Sequence, residues 1–173
     1  MRHLARVQSA SSAHGGAEGG EELTRFCTQC GSLFDAPAGT AERPNRGRVC
    51  SSCGLGMVLT CAAETLSAPG SAFLVVTADL RVSAASDPAE KLFAEPDGLY
   101  GRPLLSVITS PEGVGELARR VARAATGSRA TTTVPVEAAS SALSATDLIA
   151  RIGPCGNPPA ALVVVEPSSG ASS

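Results

Sequence analysis

The chain has 173 residues, room for one ordinary domain or two small ones. Hydrophobic residues make up 43%, charged residues 17% and aromatics only 3% (Tyr100 and four phenylalanines), so any core must be built mostly from Ala, Val and Leu. Fourteen basic against sixteen acidic side chains leave a formal charge of −2, the wrong sign for holding nucleic acid by bulk charge. The longest apolar run, Ala160 to Val165, is far short of the ~20 residues a membrane-spanning helix needs.

Residues 1–22 are Ser, Gly, Ala and His with almost nothing to bury, and read as a disordered tail; residues 167–173 read as a second. The first tail is Arg- and Ser-rich and free of acid up to Glu18, a composition shared with organellar transit peptides. Arg outnumbers Lys thirteen to one across the whole chain, however, so Arg-richness carries little functional meaning. No apolar run of export type opens the sequence, so the protein is expected in the cytoplasm. Its six cysteines are then expected as thiols or metal ligands, not as a disulfide framework.

Residues 23–61 hold five of those cysteines. Cys27-Thr28-Gln29-Cys30-Gly31 and Cys50-Ser51-Ser52-Cys53-Gly54 are two CxxCG turns with nineteen residues between Cys30 and Cys50, the spacing of a four-cysteine zinc site. Two residues between cysteines let both thiolates of a tight turn face one ion, and the following Gly tolerates the turn's backbone. Two such turns supply four soft ligands and leave no open coordination position, so the metal would be structural. A block this small needs the metal to fold. A redox CxxC requires a βαβ setting that is missing here. The block, Phe26 to about Cys61, resembles a zinc ribbon with one Zn²⁺ on Cys27, Cys30, Cys50 and Cys53. Loss of one ligand is expected to unfold the ribbon and spare the rest.

Zinc ribbons serve as nucleic-acid binders or as protein-contact modules. Between Cys27 and Cys53, Arg43, Arg46 and Arg48 face Asp35 and Glu42, for a balance of +1, and Phe34 is the one aromatic. Neither a strong phosphate patch nor a stacking platform is visible, and nucleic acid is disfavoured.

Residues 62–71 end in Pro-Gly-Ser and read as a linker. In residues 72–166, Phe73–Thr77 and Arg81–Ala85 are expected to form a hairpin around Ala78-Asp79-Leu80. Asp87-Pro88-Ala89-Glu90 reads as a helix start with Asp87 as N-cap, the helix running to Phe93. A short helical segment is expected over Arg102–Thr109. Ser110-Pro111 is expected to open the longest helix, to about Thr126 with Gly127 as stop. Val114, Leu117, Ala118, Val121 and Ala125 share its apolar face, with Glu116, Arg119, Arg120 and Arg123 opposite, open to an acidic partner. Strands are expected at about Ala130–Glu137, Asp147–Ile152 and Ala160–Glu166. Strands grouped around helices without βαβ alternation indicate an α+β fold with an antiparallel sheet.

The order of these elements, with Asp79 to Ser86, Asp87 to Phe93 and Gly101-Arg102-Pro103-Leu104, resembles a PAS domain across essentially all of 72–166. The resemblance implies a five-stranded antiparallel sheet with helices on one face, closing on two long antiparallel strands. It also implies a domain that senses small ligands or pairs with partners. Val75, Leu92, Leu105, Val121 and Val164 are expected in the core. Haem-binding members present a His, but His3 and His14 both lie in the tail. Photoactive flavin members carry Cys in an Asn-Cys-Arg-Phe motif, whereas Cys155 sits in Pro-Cys-Gly-Asn-Pro, between the last two strands. Neither haem nor flavin is expected, and Cys61 and Cys155 read as plain thiols.

Enzyme readings fail on inventory. No His is available in a folded block for a nucleophile pair, no GxxxxGK loop exists, and Lys91 is the single lysine. Gly54-Leu55-Gly56 lacks the third glycine of a dinucleotide site. The expectation is a non-enzymatic cytoplasmic regulatory protein: a structural zinc ribbon plus a PAS-like sensor or interaction domain. Its partner would be another protein or a second copy, as a homodimer. A small-molecule ligand is compatible, and a membrane is not expected. The alternative is a nucleic-acid-binding transcription accessory acting through the ribbon.

Overall fold

The computed structural model describes residues 22–35, 49–66, 68–93, 96–139, 147–156 and 158–168. In chain order these form β1 (Leu23–Cys27), β2 (Leu33–Asp35), β3 (Val58–Ala62), β4 (Ala72–Val76), β5 (Val82–Ala85) and α1 (Asp87–Phe93). A 3₁₀ turn (Leu104–Ser106), β6 (Ile108–Thr109), α2 (Val114–Ala125), β7 (Thr132–Ala138), β8 (Leu148–Gly156) and β9 (Ala160–Pro167) follow. The fold is α+β, a curled antiparallel sheet with two helices. The expected tails lie outside the described residues except at their inner ends. There the Glu22 carbonyl accepts the Ala63 N–H, and Pro167 ends β9.

The strands of the second block run β5-β4-β9-β8-β7, every neighbouring pair antiparallel, with β6 on the far side of β7. The hairpin β4–β5 turns where expected, and Leu80 there takes a left-handed φ of 61°. Its carbonyl is held by the Leu104 N–H at 2.8 Å. β8 and β9 form the long closing hairpin.

Side chains alternate across a strand, and β9 is apolar from Ala160 to Val165, so it feeds two cores. Ala161, Val163 and Val165 pack with Leu74, Val76, Phe93, Leu117, Val121 and Ile152 beneath the two helices. Ala160, Leu162 and Val164 face the other way, with Phe73 and Val75. That second face is covered by the cysteine-rich block, through Phe26, Leu59 and Cys61, and by Leu66 just after it. The Phe26 and Phe73 rings meet edge to face, centroids 5.3 Å apart, a geometry aromatic pairs favour.

The cover is continuous with the sheet. β1 pairs with β2 and β3, and β3 pairs with β8 through Thr60↔Gly156 and Cys61↔Cys155. One edge of β8 therefore serves two partners, β7 along Leu148–Ile152 and β3 at its end. Gly153 and Pro154 occupy the gap between these two pairings and remain paired with β9 on the other edge. A Cβ at Gly153 would lie 2.2 Å from Thr65 Oγ1, which is itself 2.8 Å from Thr131 Oγ1. Residues 62–71, expected as a linker, thus contain the buried Thr65 and Leu66.

Several expectations need correction. The cap of α1 is Ser86: its Oγ accepts the Ala89 N–H at 3.3 Å, and its carbonyl accepts Glu90 N–H at 3.0 Å. Asp87 is the first helical residue instead. The segment Arg102–Thr109 is a single 3₁₀ turn followed by β6. The long helix starts at Val114, because Ser110–Gly113 closes a turn (Gly113 N–H to Ser110 O, 2.9 Å) and the Ser110 hydroxyl is spent on the Pro135 carbonyl at 2.8 Å. Val114 consequently sits at the helix tip and is 46% exposed, while Leu117, Val121, Ala124 and Ala125 form the buried face. Gly127, with φ 98°, ends the helix as expected. Cys155 lies inside β8, which runs longer than expected. Of the expected core, Val75, Val121 and Val164 are buried; Leu92 and Leu105 are partly buried at the margin.

Candidate metal centre

The two CxxCG turns are built alike. Cys27 ends β1, and Gly31 N–H returns to the Cys27 carbonyl at 3.1 Å; Gly54 N–H returns to the Cys50 carbonyl at 2.9 Å. Gly31 and Gly54 have φ of 69° and 71°, the left-handed region where a Cβ is penalised. Thr28 ties the turns together: its N–H donates to the Met57 carbonyl at 2.8 Å, and its hydroxyl accepts the Met57 N–H at 3.0 Å.

This brings the sulfurs of Cys27, Cys30, Cys50 and Cys53 within 4.8 Å of one another. Cys27 Sγ is 3.7 Å from Cys53 Sγ, and Cys30 Sγ is 3.8 Å from Cys50 Sγ. Four sulfurs at ~2.3 Å from a tetrahedral ion stand about 3.8 Å apart, so the cluster has the dimensions of an S₄ metal site. A disulfide would need ~2.05 Å, and all six cysteines of the chain are free. The four cysteines can therefore hold one metal ion.

Backbone donors surround the sulfurs. Gln29 N–H donates to Cys27 Sγ (3.4 Å), Ser52 N–H to Cys50 Sγ (3.3 Å) and Gly56 N–H to Cys53 Sγ (3.5 Å). Ser32 Oγ lies 3.1 Å from Cys30 Sγ. Such donors favour thiolates, the form a metal binds. Those from Gly56 and Leu55 bring the Cys53 thiol down to about 6. Burial instead pushes Cys27 up to about 12, a cost that a bound cation would offset.

Gly56 is a residue the sequence reading missed. A Cβ there would fall 2.3 Å from Cys27 Sγ and 2.8 Å from the Gln29 nitrogen. The only sequence signal was a second glycine two residues past the CxxCG turn. Gln29 was missed as well, because its partner Asp87 lies 58 residues away.

The remaining candidates are scattered. Cys61 in β3 and Cys155 in β8 lie apart from the cluster, buried in the second core. Arg43, Arg46 and Arg48, and likewise His3 and His14, lie outside the described residues. On the outer face of α2, Arg120 is already committed: it pairs with Glu116 (2.7 Å) and Glu112 (3.0 Å) and donates to the Thr133 carbonyl (3.0 Å). Arg119 pairs with Glu116. Arg120 and Arg119 are thus engaged with acids of their own helix region, while the Arg119 side chain stays 64% exposed and Arg123 is exposed on the same helix. No helix among the described residues is long and apolar enough to cross a membrane.

Compared with protein-family models, curated proteins and solved structures, the chain finds no match.

Proposed function

We propose that the chain is a non-enzymatic regulatory protein in which a structural zinc ribbon is laid over a PAS-like sensor or interaction domain. The observation that carries this reading is the closed set of four thiols, which leaves no coordination position for substrate or water. Cys27, Cys30, Cys50 and Cys53 would hold the zinc, and the ion's contribution would be folding energy. The PAS-like part rests on the motifs in 79–104, on five antiparallel strands with helices on one face, and on the long β8–β9 hairpin.

Output would then pass through a protein partner or a second copy, in signal transduction or regulation of transcription. The second face of the sheet is already covered by Phe26, Leu59 and Leu66. Self-association would therefore use other surfaces, such as those around Tyr100 (80% exposed) and Leu55 (80% exposed).

Metal analysis and a low-salt gel-shift titration test the reading together. One zinc per chain with no shift supports it. Tight, salt-sensitive nucleic-acid binding that disappears in an Arg43/Arg46/Arg48 triple-alanine variant would replace it with the transcription-accessory alternative.

A further inference from the structure

Two thiols take no part in the metal centre, and the fold sets them face to face. Cys61 on β3 and Cys155 on β8 are direct register partners. Directly opposed residues of an antiparallel pair have Cα atoms ~4.5–5.5 Å apart, inside the ~4.4–6.8 Å window of a disulfide. Opposed side chains also share a face, and both cysteines belong to the second core with Phe26, Leu59 and Ala160. We propose that Cys61 and Cys155 are a disulfide-forming pair, oxidised by small-molecule disulfides, whose bond fastens the cysteine-rich cover to the sheet.

The placement gives the bond a purpose. β3 meets β8 over only two residue pairs, at the end of β8 beyond the Gly153-Pro154 gap. It is the one described strand pairing between the cysteine-rich block and the second block. While that seam is shut the thiols are 2% and 5% exposed, and burial pushes each up to about 12. They are then neutral and inert. A seam this short opens locally more readily than the whole fold. Once it opens, the Cys61 thiolate attacks a small disulfide RSSR, forming a mixed disulfide and expelling RS⁻. The Cys155 thiolate then attacks Cys61 Sγ and expels the second RS⁻. Two electrons pass to the oxidant, and the two thiol protons end on two RSH. This inference rests on the β3–β8 register alone and stands apart from the regulatory reading.

The test uses the full chain, reduced and incubated with zinc chloride, then exposed to oxidised glutathione. Free thiols are blocked with N-ethylmaleimide before digestion and peptide mapping. The expected product is a linked peptide joining Cys61 to Cys155, with zinc content unchanged. It is absent from Cys61→Ala and Cys155→Ala variants. The oxidised protein should unfold at higher urea than the reduced protein, and dithiothreitol should reverse the gain. The proposal is overturned if no Cys61–Cys155 peptide forms under conditions where hydrogen exchange shows the β3 amides opening. Disulfides confined to Cys27, Cys30, Cys50 and Cys53, or a linked product that unfolds at lower urea, would overturn it equally.

Discussion

Gln29 and Asp87 hold each other twice. The Asp87 N–H donates to the Gln29 carbonyl at 3.0 Å, and Gln29 Nε2 donates to Asp87 Oδ1 at 2.6 Å. Gln29 sits between two metal-site cysteines and also donates its own N–H to Cys27 Sγ. Asp87 is the first residue of α1. The first cysteine turn and the first helix of the second block are thus joined by backbone and side chain at once. Nearby, a Cβ on Gly31 would stand 3.5 Å from the Phe73 ring, so the turn lies directly on the sheet's second face.

Replacing Asp87 with Ala removes the side-chain half of this clasp and an acidic group at a helix N-terminus. An exposed hydrogen bond and a terminal charge together are worth about 1 kcal/mol. Urea unfolding should show a loss of that size for Asp87→Ala, and less than half of it for Asp87→Asn, which keeps the acceptor. An alanine variant as stable as the parent would contradict the clasp.

The two glycines of the second turn should fail differently. Gly54 has open space around it but a φ of 71°, so Gly54→Ala is expected to cost about 1 kcal/mol and to keep the metal. Gly56 has no room, since the added carbon would strike Cys27 Sγ and the Gln29 backbone. Gly56→Ala is expected to weaken zinc binding at least ~10-fold, the scale of a lost supporting contact around a ligand. Competition with a chromogenic chelator measures both variants, and equal affinities would count against the geometry.

The shared core changes the expected result of breaking the metal site. From sequence, Cys50→Ser should unfold the ribbon alone. With Phe26 and Leu59 packed on Phe73, Leu162 and Val164, unfolding the cysteine-rich block also uncovers the sheet. Calorimetry on Cys50→Ser should show the whole transition move to lower temperature, not the disappearance of one of two peaks. Phe26→Ala should destabilise by roughly 3–5 kcal/mol, as for a large core truncation, even with zinc bound. An unchanged main transition in both variants would show that the two blocks fold independently.

One carboxylate gives a pH signature. The Thr77 hydroxyl donates to Asp79 Oδ1, and with the backbone N–H of Asp79 and the nearby Arg81 it holds the Asp79 carboxyl below the usual range. A depressed folded value means the interaction stabilises at pH above the unfolded value of about 3.9. The benefit is lost as pH falls through the folded value. Thr77→Val should raise the Asp79 titration toward about 3.9 in an NMR pH series. If the titration does not move, the hydroxyl is not the cause.

Much of the site was legible in sequence because its signals are local. A CxxCG turn specifies its own backbone, and a matched second turn, with nineteen residues between Cys30 and Cys50, brings the thiols to four. The β4–β5 hairpin, α1 and the β8–β9 hairpin were legible for the same reason, each being a short-range pattern of apolar spacing and turn residues. Boundaries slipped where a side chain found a distant partner. Ser110 reads as a helix opener, yet its hydroxyl is taken by Pro135 on β7. Asp87 reads as a cap, yet it faces Gln29.

Sequence alone picked out the four cysteines that cluster, the order β4, β5, α1, α2, β7, β8, β9 in the second block, and the apolar run that forms most of β9. It did not decide where the cysteine-rich block goes. The all-apolar run Ala160–Val165 reads as a strand, but its pattern does not say that both faces are buried, or by what. Only the tertiary structure settles that: β3 joins the free end of β8, and Phe26 lands on Phe73. The physical reason is that pairings across about 90 residues depend on the loop-closure cost and area buried by the whole chain, quantities that no local pattern encodes.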